Sequence, residues 1–383
     1  MTYSPTSYQS QLAQLVALPS VSCAVPSWDM ANLPVIELLA TWFNDLGFNT
    51  QIMPLAQPGK ANLIATLGSG DGGLVLAGHS DTVPYDANHW QSDPFKLLEK
   101  DGKLFGLGAT DMKGFFPVIL AAVQPFLDRP FKHPLIILAT ADEESSMSGA
   151  RALAAAGKPK ARYAVIGEPT ELVPIRMHKG IMMEAIRVRG QAGHSSNPSL
   201  GRSALDAMTQ VMTELISLRG ELQTKYRNAG FAIQTPTLNL GCINGGDGAN
   251  RICGECELHF YLRLLPGMDN SELRETIQRR LTPIAESSKT DIVFSSLFEG
   301  IEPFDQAADS ELVKICEQLT GHTAESVAFA TEAPFMQELG MQTVVLGPGS
   351  INQAHQPDEF ISIDQIEPAI KIVQALIQKF CVE

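Results

Sequence analysis

Four short apolar runs, each of which stops abruptly at polar residues, constrain the fold of this chain more than any other feature. The runs cover residues 73–78, 134–139, 163–166 and 342–346. They are almost continuously apolar, so they predict strands buried on both faces, as in a parallel or mixed sheet covered by helices. Helical patterns lie before, between and after them, at residues 35–46, 113–127, 149–156 and 366–380. This order of elements is typical of an α/β sandwich.

The middle of the chain follows a different pattern. Residues 182–189 alternate between polar and apolar types, as in a sheet with one face in water. Two helical patterns, at residues 203–218 and 270–281, and two further strand patterns, at residues 237–240 and 257–264, follow them. A chain of 383 residues is also long for a single core. We therefore predict an α/β domain made of residues 1–177 and 285–383, with a smaller α+β domain, residues 178–284, inserted into it.

The composition disfavours several classes of partner. The chain has 28 Lys and Arg against 42 Asp and Glu, a formal net charge of −14. This excess of carboxylates argues against nucleic acid or an anionic membrane surface as a partner. The first residues lack the basic start and unbroken apolar stretch of a signal peptide, and no apolar run is long enough to cross a bilayer.

The cysteines indicate a reducing compartment. There are six, scattered through a large chain, which favours free thiols in a cytoplasmic setting. Cys253 and Cys256 form a CxxC motif, but no second pair follows at the spacing of a zinc ribbon.

Acidic and imidazole side chains collect where the predicted strands end, or in the loops just after them. They are His79, Asp81, Asp111, Glu143, Glu144, Glu168 and His355. Taken singly, each has an ordinary explanation, such as a loop histidine, a helix N-cap or a solvated helix start. Taken together they suggest a site, because ligands of open α/β sheets bind beyond the carboxyl ends of the strands.

Two imidazoles and three carboxylates form a mixed nitrogen and oxygen donor set, which suits zinc and also cobalt or manganese. If one carboxylate bridges two ions, each ion has three protein ligands and an open position for water. Glu143 and Glu144 are neighbours whose side chains diverge in an extended segment, so one can ligate while the other faces the water. Asp81 is two residues from His79 and can accept its second ring N–H, although a simple turn residue is the alternative.

Several blocks of sequence resemble the dinuclear zinc peptidase/deacylase family, which includes aminoacylases, carboxypeptidases and desuccinylases. The blocks are residues 78–84 (GHSDTVP), 106–114 (GLGATDMKG), 141–145 (ADEES) and 167–170 (GEPT). Residues 236–241, 331–335 and 346–359 most resemble the branch of that family that deacetylates N2-acetyl-L-ornithine. The resemblance implies a mixed-sheet α/β/α catalytic domain with an inserted α+β dimerisation domain, and hence a homodimer.

The resemblance also implies a role for each member of the cluster. His79 and Glu168 would hold one divalent ion, Glu144 and His355 the other, and Asp111 would bridge them; Glu143 would be the general base and Asp81 would support His79. The ions would be zinc, with cobalt as a possible replacement. In the inserted domain, His194 of a Gly-His-Ser motif would stabilise an oxyanion, unless it is an ordinary loop histidine. Asn250, Lys179 and Arg263 fall where relatives contact the substrate.

The implied reaction is hydrolysis of N2-acetyl-L-ornithine to L-ornithine and acetate, a step of arginine biosynthesis, by metal-activated water with Glu143 as general acid and base. Alternatives within the family are a succinyl-diaminopimelate desuccinylase, a general N-acyl amino-acid amidase or a metallo-dipeptidase. An alternative of another class is a non-catalytic binding protein on a peptidase fold.

Overall fold

The computed structural model describes residues 5–383, which form two compact units. The first unit contains the chain up to Arg176, then Gln306–Glu325 and Thr331–Glu383. The second contains Met177–Asp305 and Ser326–Ala330. The sequence pattern predicts the second boundary after residue 284, whereas the second unit extends to Asp305. The difference arises because residues 291–301 form a strand of the second unit's sheet.

The helices are α1 (Pro5–Val16), α2 (Leu33–Asp45), α3 (Phe115–Val123), α4 (Ser148–Ala156), α5 (Ala204–Lys225), α6 (Asn270–Ser288), α7 (Glu311–Thr320), α8 (Ala333–Glu338) and α9 (Ile366–Ile377). Short 3-10 turns cover Gln124–Phe126, Pro198–Leu200, Ile351–Gln353 and Ile363–Gln365, and a π-helical turn covers Gln378–Val382.

The strands are β1 (Asn49–Pro54), β2 (Ala61–Leu67), β3 (Leu74–His79), β4 (Leu98–Lys100), β5 (Lys103–Phe105), β6 (Leu135–Thr140), β7 (Tyr163–Ile166), β8 (Ile175–His178), β9 (Gly180–Arg189), β10 (Gly193–His194), β11 (Thr237–Gly245), β12 (Arg251–Ile252), β13 (Glu255–Leu264), β14 (Asp291–Ile301), β15 (Phe304–Asp305), β16 (Glu325–Val327), β17 (Gln342–Val345) and β18 (Phe360–Ser362).

A mixed sheet organises the first unit. Its strands follow the order β1-β2-β6-β3-β7-β17-β8. The middle strands β6, β3, β7 and β17 run parallel, whereas β1, β2 and β8 pair antiparallel. Every residue of β3, β6 and β7 is buried, as the apolar runs predict for strands covered on both faces. The predicted α/β class with a mixed sheet is confirmed.

This topology creates the edge at which the polar side chains gather. The carboxyl ends of parallel neighbours lie at one edge of a sheet. His79 is the last residue of β3, residues 141–144 follow β6, and Glu168 follows β7. The segment after β17 carries His355. The ends of four parallel strands and the segments that follow them therefore supply every member of the predicted cluster except Asp111, which lies in the loop between β5 and α3.

The loop that carries Asp111 is held against the N-terminal part of the chain by a buried lysine. Lys113 is 1% exposed, and its Nζ donates to the carbonyl oxygens of Leu15 at 3.1 Å and Leu18 at 2.8 Å. These carbonyls lie in and just beyond the last turn of α1, where a helix supplies no further N–H donors of its own. Burial lowers the pKa of Lys113 to about 7. Lys113 thereby fixes the start of α3, all of whose residues are buried.

The second unit is an antiparallel sheet with helices packed on it. The strands follow the order β11-β13-β9-β14, and β10 pairs separately with β12. Along β13, buried residues alternate with more exposed ones, as expected when one face packs on helices. Apolar residues of α5 and α6, among them Met208, Val211 and Ile277, belong to the same buried cluster as the sheet. Among residues 5–383, the structure has no helix that is both long and apolar enough to cross a membrane.

Candidate metal centre

A first group of potential metal ligands, His79, Asp111 and Glu168, surrounds His79. Its Nε2 lies 3.1 Å from Oδ1 of Asp111 and 4.0 Å from Oε2 of Glu168. All three side chains are buried. Burial by itself would lower the pKa of His79, but the hydrogen bond with Asp111 and the negative charge of Glu168 outweigh it, so the pKa is raised well above its usual value. Burial also raises the pKa of Glu168, and the nearby Asp111 carboxylate raises it further.

The second group surrounds His355, which is the exposed member of the cluster. Its Nε2 lies 3.0 Å from the carboxylate of Glu144 and 3.5 Å from Oδ2 of Asp111. Its hydrogen bonds with Asp111 and Glu144 raise its pKa to about 10. The imidazole is 53% exposed, so this side of the centre is open to solvent.

Asp111 joins the two groups. Oδ1 faces His79 and Oδ2 faces His355, so each carboxylate oxygen serves a different histidine. Although burial opposes its ionisation, the two histidines hold the pKa of Asp111 well below its usual range. A carboxylate placed in this way has the geometry of a bridging ligand between two cations.

These residues fit a pair of divalent ions. Two oxygen or nitrogen ligands of one zinc ion, each about 2.0–2.2 Å from it, are at most about 4.4 Å apart. The distances above, 3.0–4.0 Å, fall within that limit. The donors of each group are an imidazole and two carboxylates, a set that suits zinc or cobalt. One ion would be held by His79, Glu168 and Asp111, the other by His355, Glu144 and Asp111.

Glu143 lies beside both groups and has a strongly perturbed acidity. Burial raises its pKa well above the usual value, the negative charge of Glu168 adds to this, and His79 offsets only part of it. The donor atoms of His79, Glu143 and Glu144 also lie within 4.8 Å of one another. The distances alone therefore allow either Glu143 or Glu144 to be a metal ligand, and the two roles can be separated by substitution.

Asp81 supports His79 through a different atom from the one predicted. We expected the Asp81 carboxylate to accept the second ring N–H of His79. In the structure the Asp81 main-chain carbonyl oxygen is the nearer acceptor, 3.0 Å from Nδ1, while the carboxylate is 3.8 Å away. A carbonyl can only accept, so it favours a proton on Nδ1 and directs Nε2 toward Asp111. The carboxylate instead accepts from the backbone N–H of Glu144, at 3.1 Å. Burial raises its pKa to about 6.

A buried ion-pair cluster that sequence reasoning missed anchors the turn before Glu143. Asp142 has a left-handed backbone, with φ of 56°. Its carboxylate accepts hydrogen bonds from Lys60 Nζ at 2.6 Å, Ser22 Oγ at 2.9 Å and Ser148 Oγ at 3.0 Å. Lys60 is 2% exposed and also pairs with Asp29 at 2.8 Å. These contacts hold a strained turn that directs Glu143 and Glu144 toward the histidines.

Two further buried carboxylates near the centre were also missed. Burial raises the pKa of Glu332 to about 7, with His79 and Asp81 among the charges that act on it. Glu359 is 2% exposed and contacts the loop of Asp111. Glu332 is the N-cap of α8 and looks like an ordinary helix start, so its only sequence signal is that it lies in the block 331–335. Glu359 has two signals, its place at the end of the block 346–359 and its position four residues after His355.

The four predicted substrate contacts all lie in the second unit. His194 and Asn250 are exposed neighbours: His194 pairs with Arg251, and the Ser195 backbone N–H donates to the Asn250 carbonyl at 3.1 Å. Lys179 is buried, and its Nζ donates to the carbonyls of Ile233 and Thr235 at 2.7 and 2.8 Å. Burial lowers the pKa of Arg263. Within the described chain, Nη1 of Arg263 is buried with no hydrogen-bond partner.

Comparison with known proteins places this architecture in a family. Residues 75–379 match the profile described as peptidase family M20/M25/M40. The chain is 49% identical over 369 residues to an acetylornithine deacetylase of Proteus mirabilis (strain HI4320), covering 96% of this chain and 95% of that protein. It is 47% identical over 376 residues to an acetylornithine deacetylase of Pasteurella multocida (strain Pm70), covering 98% of each.

A solved structure shares the fold at low sequence identity. An M20 family metallo-carboxypeptidase from Sulfolobus solfataricus superposes with a TM-score of 0.75 at 19% identity, covering 97% of this chain and 98% of that one.

Proposed function

This chain belongs to peptidase family M20/M25/M40, and on that premise we propose that it is a two-metal amidohydrolase that removes the acetyl group from N2-acetyl-L-ornithine. The products would be L-ornithine and acetate, as in arginine biosynthesis. The observation that carries the proposal is the Asp111 carboxylate, which offers one oxygen to each histidine-containing group, with Glu143 beside both. The nearly full-length identity to proteins named acetylornithine deacetylase supports the choice of substrate.

The chemistry divides between the ions and the protein. When bound, the two cations would lower the pKa of water and polarise the amide carbonyl. His79, Glu168, Asp111, Glu144 and His355 would hold them, and the Asp81 carbonyl would keep the His79 ring oriented. Glu143 would take a proton from the attacking water and deliver it to the departing amine. Burial raises the pKa of Glu143 above its usual value, which makes its carboxylate a stronger base toward the water's proton.

Residues of the second unit would bind the rest of the substrate. We propose Arg263 as a partner for the substrate carboxylate, since a buried guanidinium N–H without an acceptor is suited to a carboxylate ligand. Lys179 is the weaker candidate, because two carbonyls already occupy its ammonium group. His194 and Asn250 would contact the reacting acyl group, with His194 stabilising the oxyanion.

Zinc is the proposed native ion, and cobalt is a replacement that the same donors accept. We propose a homodimer formed through the second unit, and a cytoplasmic location. The location is supported by the cysteines, all six of which are free thiols.

A substrate panel tests the proposed function. The purified protein should release acetate from N2-acetyl-L-ornithine, lose this activity after chelation, and regain it when zinc or cobalt is added. N-succinyl-diaminopimelate and simple dipeptides should be hydrolysed more slowly. Faster turnover of either would reassign the substrate within the family. If none of the three is hydrolysed with metal restored, the proposed deacetylase function is wrong.

Metal binding at pH 7 should release protons. The pKa of His355 is raised to about 10, so its imidazole is protonated at pH 7 before metal binds. A cation can bind Nε2 of His355 only after its proton leaves, so at least about one proton should be released. The release should shrink as the pH rises past 10. Isothermal titration with zinc in buffers of different ionisation enthalpy measures it, and a heat that does not depend on the buffer would contradict the expectation.

A further inference from the structure

A buried carboxyl group that is not among the proposed metal ligands forms hydrogen bonds with the loop that ends in Asp111. Glu359 is 2% exposed. Its Oε1 accepts hydrogen bonds from the backbone N–H groups of Thr110 at 2.8 Å and Asp111 at 3.0 Å, and its Oε2 accepts one from Gly108 at 2.9 Å. Three hydrogen bonds from main-chain donors to this one carboxyl group define the position of the whole loop.

The backbone conformation of the loop directs its N–H groups toward the Glu359 carboxyl group. Gly108 has a left-handed backbone, with φ of 78°, and a Cβ there would lie 2.7 Å from Cγ2 of Thr82. A side chain at this position would therefore be strained and would clash. One further hydrogen bond joins main chain to main chain: the Gly106 N–H donates to the Glu359 carbonyl at 3.0 Å.

Glu359 also links the segments that carry two of the proposed metal ligands, His355 and Asp111. It lies four residues after His355 and immediately before β18. That strand pairs with β5 in the register Phe360 to Phe105, so residues 355–362 and 103–111 are held together as a pair of segments. One segment supplies His355 and the other supplies Asp111, whose Oδ2 is 3.5 Å from Nε2 of His355.

We propose that Glu359 is a positioning residue of the metal centre: its carboxylate fixes residues 108–111 so that Asp111 presents one oxygen to each ion. Glu359 itself would not touch metal or substrate. This inference rests on the proposed function, because it assigns a purpose to the contacts around a two-metal site. We therefore expect a change at Glu359 to weaken mainly the binding of the ion held by His355, Glu144 and Asp111, because that ion depends on the spacing between Asp111 and His355.

The variant Glu359→Gln tests the inference with little change of side-chain volume. An amide keeps one acceptor oxygen but turns an NH2 group toward a backbone N–H that now has no acceptor. We expect the variant to fold, to bind at least one of its two ions about 10–100-fold more weakly, and to show a lower kcat with little change in KM. The measurements are zinc titration of the metal-free protein and the visible absorption spectrum of the cobalt-loaded protein, which reports ligand geometry directly.

The neighbouring carboxylate provides a matched control. Asp358 accepts one backbone N–H, from Gln91 at 2.8 Å, and has φ of 58°, a conformation that asparagine tolerates. Asp358→Asn therefore removes a carboxylate from the same turn without touching residues 108–111. It should bind zinc and cobalt as the unmodified protein does.

The outcomes separate this inference from the proposed function. If the unmodified protein fails to bind two ions, the proposed function and this inference fail together. If it binds two ions and Glu359→Gln binds them with equal affinity and an unchanged cobalt spectrum, only the positioning role is wrong. Should Glu359→Gln fail to fold, Glu359→Asp, which keeps the charge on a shorter side chain, replaces it. Unaltered metal binding by that variant would likewise overturn the inference.

Discussion

The variant Glu143→Gln is expected to keep both metal ions and to lose about 10²–10⁴-fold in kcat. Glutamine has nearly the same shape but cannot accept a proton from water or pass one to a departing amine. In the proposed arrangement Glu143 is outside both ligand groups, although it is close to His79 and Glu144. Its loss should therefore affect the chemical step and leave KM almost unchanged.

Metal content by atomic emission and steady-state kinetics on N2-acetyl-L-ornithine measure this prediction together. A Glu143→Gln protein that retains full activity would exclude Glu143 as the general base. A protein that loses an ion would show that Glu143 is a ligand instead, which the distances permit.

The second large effect is expected at the adjacent residue, where Glu144→Ala should lose one of the two ions. The Glu144 carboxylate lies 3.0 Å from Nε2 of His355, and the substitution leaves only His355 and Asp111 for that ion. Removing a residue that only supports a ligand costs about 10–100-fold in metal affinity, so removing an anionic ligand should exceed about 100-fold. Activity should fall with metal content, and a large excess of zinc or cobalt should restore part of it.

The two neighbours act as controls for each other, since each substitution changes one carboxylate in the same turn. The expected contrast is a metal-replete, inactive Glu143→Gln protein and a metal-deficient Glu144→Ala protein whose activity responds to added metal. The reverse contrast would exchange the two roles. Equal metal loss in both would mean that the turn, rather than either carboxylate, had been disrupted.

The buried strands were the part of the fold most open to prediction. Residues 163–166 form β7 as expected. The predicted run 342–346 differs from β17 by one residue at one end, and the run 134–139 differs from β6 by one residue at each end. A strand covered on both faces has to be apolar along its whole length, so the signal is strong in the sequence. The helices were located less well at their ends: α5 continues to Lys225 and α6 to Ser288, beyond the predicted ends at residues 218 and 281.

Elements that depend on distant partners were missed. Helix α6 continues past Pro283, where a helix would ordinarily end, and Ile284 packs against the second unit's core. Several apolar residues of strand β14 are exposed, including Val293 and Leu297, so its sequence only weakly shows the alternation that predicts a strand. It is a strand because it pairs with β9, more than a hundred residues earlier in the chain. For the same reason the second unit extends to Asp305, beyond the predicted boundary at residue 284.

The sequence by itself determined the α/β class and the residues that gather at the sheet edge. Both follow from patterns that residue types carry: long apolar runs for buried strands, and ionisable groups at the ends of those runs. Tertiary structure alone decided which Asp111 oxygen faces which histidine, that the Asp81 carbonyl rather than its carboxylate approaches His79, and that Glu359 holds residues 108–111. The Asp81 and Glu359 contacts use main-chain atoms, which every residue possesses, so residue types do not reveal them. The facing of the Asp111 oxygens is an orientation of one side chain, and residue types do not reveal that either.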